Sequence, residues 1–157
     1  MNPTDIKAVA EFTEIMIKGV KTNFERDHKI EPMALCLIKK HNAYLPVIIP
    51  AAQFMESEDT KNKLREILLM TNANAEVLST LMISEAWLSM DNKFFNKGAV
   101  NDPNRIEVVM INISNIITED VKIFNIDRTN KIPILVENKI KHDNPTSKPS
   151  GRFTNLK

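Results

Sequence analysis

The stretches of this chain that favour extended backbone are joined by links too short to carry a crossover. Met33 to Ile38 is a continuous apolar run, a turn at His41 to Ala43 leads into Tyr44 to Ile49, and the runs Arg105 to Ser114, Val121 to Ile126 and Ile132 to Val136 follow one another with brief Asn- and Asp-containing breaks. A parallel pair needs a connection of about a dozen residues or more, so the short links favour antiparallel pairing in a mixed or antiparallel sheet. Two segments of helical period stand before and after the first pair. The order α-β-β-α-β-β-β predicts an α+β fold: one mostly antiparallel sheet of five to six strands with two helices packed on it.

The first helix is predicted over residues 3–26. Asn2 suits the N-cap, Pro3 the first helical position, and Asp5 places a carboxylate near the positive end of the helix dipole. Ile6, Val9, Thr13, Met16, Ile17, Val20 and Phe24 recur at three- and four-residue steps as the inward face, with Phe12 and Ile15 off that stripe. Pro46 offers no amide hydrogen to a neighbour, so the second strand should lie at a sheet edge or turn that position outward. Ser57, followed by Glu58 and Asp59, opens a second helix running to about Thr71, with Leu64, Ile67 and Leu68 inward. Val77 to Met90 fits a helical period at Leu78, Leu81, Met82 and Ala86. Its Val, Thr, Ile and Trp content favours a strand.

The chain has 157 residues, enough for one core without staples, and residues 1–140 are expected to form a single globular domain followed by a flexible basic tail at 141–157. Residues 137–157 hold five Lys+Arg and two Asp+Glu, a net of +3, while residues 1–136 hold 16 and 18, a net of −2. A slightly acidic domain with so small a basic tail is not expected to bind nucleic acid. Gly19, Gly98 and Gly151 are too far apart for a phosphate-cradling loop, and Cys36, His28, His41 and His142 lack the spacing of a zinc site. No cofactor and no metal is expected. Cys36, alone in an apolar strand, reads as a small core residue, and one unpaired cysteine with no apolar leader or membrane-length run points to a cytoplasmic protein.

Leu45 to Ala51 (LPVIIPA), Ile83 to Leu88 (ISEAWL) and Asp102 to Val109 (DPNRIEVV) together resemble small uncharacterised proteins of bacteria and their phages. The resemblance spans roughly residues 30–140 and implies a family without an assigned activity, so it carries over no functional residue. The element order also looks like the profilin and roadblock layout, by topology alone.

The residues that stand out chemically are Glu85 and Trp87 in one strand and Arg105 and Glu107 in the strand expected beside it. Alternation puts each pair on a single face. Their first reading is a cross-strand ion pair between Glu85 and Arg105 or a solvated sheet face; the alternatives are a carboxylate, Glu85 or Glu107, acting as general acid or base in a pocket under Trp87, and a polar contact across a subunit interface. Phe94 and Phe95 in the polar segment 91–104, and Phe153 in the tail, are candidate contact residues. The functional expectation is a non-catalytic protein-interaction or assembly module, a homodimer or the partner of another protein. A small enzyme or ligand-binding protein with a pocket near Glu85, Trp87, Arg105 and Glu107 is the alternative.

Overall fold

The computed structural model describes residues 2–91, 93 and 97–138; the tail at 141–157 lies outside them. Helix α1, Pro3–Asp27, begins where Asn2 caps it: the Asn2 side chain accepts from the Thr4 amide at 2.9 Å. It ends at His28, whose left-handed backbone (φ 58) turns its N–H onto the Phe24 carbonyl at 2.7 Å. Strands β1, Met33–Lys40, and β2, Ala43–Pro50, form a hairpin closed by His41 and Asn42 (φ 47 and 65). Two left-handed residues in a row give a tight turn whose twist matches that of the strands. After a short 3-10 turn at Ala52–Phe54, helix α2 runs Glu58–Asn74. Ser57 Oγ accepts from the Thr60 amide at 3.2 Å while Thr60 Oγ1 accepts from the Ser57 amide at 3.1 Å, so two of the donors a helix start leaves open are satisfied reciprocally.

Four strands follow: β3, Glu76–Leu88; β4, Ile106–Asn115; β5, Glu119–Asp127; and β6, Ile134–Glu137. All pair antiparallel in the order β2-β1-β3-β4-β5-β6, a six-stranded α+β sheet with β2, and hence Pro46, at one edge. The segment with two competing periods is a strand because it is buried on both faces. Leu81 and Ile83 join the α1 side while Met82 joins the α2 side, and the helix-like spacing of its apolar residues is incidental. Near its start a β-bulge sets Leu78 and Ser79 against Leu37 alone, which re-aims the strand before it passes under α1.

The helices cover opposite faces. Val9, Phe12, Val20 and Phe24 of α1 pack on Leu35, Leu37, Leu81, Ile83, Val109, Ile111 and Phe124; Leu64 and Leu68 of α2 pack on Ala34, Cys36, Ala51 and Met82. Three of those four partners are small, which lets α2 approach β1 closely. Cys36 is fully buried, its Sγ 3.8 Å from Thr80 Oγ1, and burial pushes the thiol above its ordinary pKa. Among the described residues no helix is long and apolar enough to cross a membrane.

Two inward faces differ from the periodicity. Phe12 is in the core and Ile6 is exposed, because Asp5 is drawn to the sheet: its carboxylate accepts from Tyr44 Oη at 2.8 Å and Lys39 Nζ at 3.0 Å, which fixes the rotation of the first turn. Ile67 also lies largely outside, since α2 presents only the Leu64 and Leu68 line to the small residues beneath it.

Candidate functional site

Helix α1 crosses its face of the sheet diagonally. Its first turn is tied to the β1–β2 hairpin through Asp5, Lys39 and Tyr44, whereas farther along Lys21 Nζ lies 4.8 Å over the Phe124 ring of β5 and the helix reaches β6. A diagonal cover leaves two corners of the face open, and the distinctive chemistry of the molecule lies in them.

One corner holds the residues picked out by the sequence. Trp87 and Glu107 are direct cross-strand partners between β3 and β4, and Arg105 lies just before β4 with its guanidinium 4.6 Å over the Trp87 ring. That stack replaces the expected ion pair of Glu85 with Arg105. Arg105 is held by the loop before it, donating from one terminal nitrogen to the carbonyls of Val100 at 2.9 Å and Asp102 at 3.3 Å, while its buried Nε has no partner among the described residues. Asp102 in turn accepts from Ser89 Oγ and from the Asn104 amide, closing the loop on the end of β3. Glu85 turns to the return segment between α1 and β1, accepting from the Ile30 amide at 2.7 Å. Glu107 receives a two-pronged bond from Arg128 at 2.7 and 2.8 Å, which holds its carboxyl below the ordinary carboxylate range.

Each carboxylate at this corner therefore has a structural partner. The hollow lined by Glu85, Ala86, Trp87 and Glu107 measures about 180 Å³, against roughly 300 to 1,000 Å³ for sites that enclose a small molecule. What the corner does offer is a half-exposed Trp87 carrying a cation on its ring, the two residue types most enriched at the centres of protein contacts. Phe94, Phe95 and Phe153, the other candidate contact residues, lie outside the described residues. No three His, Cys, Asp or Glu side chains come together as a metal site among the described residues.

The opposite corner was not legible as a site in the sequence. There α1 and the tight β4–β5 turn enclose a groove of about 550 Å³, walled by Val9, Ala10, Thr13 and Ile17 on the helix and by Ile117 and Thr118 on the turn. Asn115 shapes the turn by accepting from the Ile117 and Thr118 amides at 2.7 and 2.8 Å, which holds Ile117 out as a wall. Lys18 and Lys21 lie toward the end nearer the α1 C-terminus with Lys122 on the neighbouring strand, and Glu14 is the one carboxylate among the described lining residues. The helix periodicity contains this stripe, but the turn that completes the groove lies about a hundred residues downstream, and nothing local to either segment announces the other.

On the α2 side, α2 packs over β1 and β3 and against Ile49 of β2. Val121 and Ile123 of β5 and Ile134 and Val136 of β6 share the outer face of the remaining strands, half-buried in β5 and exposed in β6. No protein-family model, no curated protein and no solved structure matches the chain.

Proposed function

We propose that this protein is a non-catalytic assembly module that works in the cytoplasm as a homodimer, joined through the β6 edge and the outer face of β5 and β6. The carrying observation is the apolar patch in which Ile134 and Val136 are exposed beside the half-buried Val121 and Ile123, at a strand whose far edge pairs with no other described strand. Exposed apolar groups beside an unpaired strand favour pairing with another strand. A second copy of the same edge, turned about a two-fold axis, supplies an antiparallel partner whose apolar groups meet their own equivalents. The buried thiol of Cys36 agrees with a reducing compartment. The Trp87 and Arg105 pair gives the module a second contact surface on the other side of the sheet, suited to a different protein.

Size-exclusion chromatography with light scattering tests the assembly. A dimer is expected at micromolar concentration, and Val136→Lys is expected to yield a monomer with an unchanged circular-dichroism spectrum. A wild-type chain that stays monomeric at tens of micromolar sinks the reading.

A further inference from the structure

We propose that the groove between α1 and the β4–β5 turn binds a free long-chain fatty acid or a closely similar single-chain amphiphile with a carboxylate head. The volume, about 550 Å³, lies within the range of small-molecule sites, which are apolar with a few placed polar groups. The α1 stripe from Val9 to Lys21 extends over about 18 Å at 1.5 Å per residue, a long narrow bed suited to an extended alkyl chain. Val9, Ala10, Ile17 and Ile117 supply its apolar walls.

The charge arrangement selects the head group. Lys18 and Lys21 lie toward the α1 C-terminal end of the bed and Lys122 faces them from β5, with Glu14 the only carboxylate among the described lining residues. Lys21 is already positioned over the Phe124 ring, while Lys122, 4.0 Å from Asp120, is shared with that carboxylate on the turn side, so Lys18 and Lys21 carry most of the positive charge at that end. An alkyl chain with an anionic terminus matches this polarity, whereas an alkylammonium of equal length reverses it. The chain's own tail is a poor occupant, because residues 137–157 carry a net of +3 and meet like charge at the rim. The site lies on the α1 face, opposite the proposed dimer patch, and either can fail without the other.

Fluorescence titration of the full chain with cis-parinaric acid below its micellar concentration, followed by displacement with palmitate, reads the site directly. Saturable binding with one equivalent per chain is expected. The charge reversals Lys18→Glu and Lys122→Glu together are expected to weaken binding by at least about tenfold, roughly 1.4 kcal/mol, and Ala10→Trp is expected to abolish it by filling the bed. Hexadecyltrimethylammonium should not displace the probe. Absence of saturable binding, binding untouched by both sets of variants, or displacement by the ammonium compound as readily as by palmitate overturns the assignment. Attachment to anionic vesicles without binding of the free acid assigns the groove to a membrane surface instead and equally overturns it. A change of oligomeric state in Ala10→Trp with binding intact assigns it to a second copy.

Discussion

Asp5 shows how one side chain can set the rotation of a whole helix. It is 7% exposed, and the bonds from Tyr44 and Lys39 hold its carboxyl below the ordinary aspartate range. A depressed folded-state value means that the native protein binds the proton less readily than the unfolded chain does. The stabilisation is thus complete above the unfolded carboxyl pKa of about 3.9 and disappears as pH falls through the lower folded value. Asp5→Asn should therefore lower the urea midpoint at pH 7, with the gap to wild type closing as the pH falls through the depressed folded-state value. Thr13 makes the opposite case: its buried hydroxyl has no hydrogen-bond partner among the described residues, a situation that costs about 1 to 3 kcal/mol. Thr13→Val should raise the melting temperature, and an unchanged or lower value would mean that the hydroxyl is satisfied in solution. Asp5 could be read from sequence as a helix-dipole partner, but Lys39 and Tyr44, more than thirty residues away, could not be read as its partners. The misplacement of Phe12 and Ile6 follows from that gap.

At the scale of elements, the ends were the most legible features, because each is decided by chemistry within a few residues. Asn2, Pro3 and Ser57 mark their helices where the structure starts them, and Pro46 places β2 at the edge. The faces were less legible, since they depend on what lies across from them. Ile67 has the right period for burial but faces past the narrow line that α2 presents to Ala34, Cys36 and Ala51. Glu85 illustrates the same limit for the candidate site, because its bond runs along the path of the chain to Ile30 and not across the sheet to Arg105. Glu85→Ala should cost about 1 to 3 kcal/mol by orphaning the Ile30 amide, whereas Glu85→Gln, which keeps an acceptor, should cost much less; chemical denaturation of the two variants separates these outcomes. The His41–Asn42 turn offers a gain. Asn42→Gly, at φ 65, should stabilise the hairpin by about 0.4 to 1 kcal/mol where the left-handed strain relieved outweighs the entropy glycine adds to the unfolded chain. A lower melting temperature would show that entropy dominates.

For the whole molecule, the α+β class and the antiparallel sheet followed from short links between strands, whereas the diagonal set of α1 did not, because it depends on contacts at both ends of the helix with strands far apart in sequence. The groove is a consequence of that diagonal and was hidden for the same reason. If the chain dimerises through β6, its melting temperature should rise with protein concentration, a dependence that Val136→Lys removes; calorimetry over a hundredfold dilution checks it.

The two edges of the sheet are chemically unlike. Pro46 and Pro50 deprive β2 of two amide donors, while β6 runs Ile134–Glu137 with no proline inside it. A sheet that can be extended at both rims can grow without limit, whereas one blocked at a single rim adds one neighbour and then presents only its blocked sides. If the chain pairs through β6, the position of Pro46 would thus limit the assembly to two copies, and replacing both prolines is the change that would turn a finite assembly into an open-ended one.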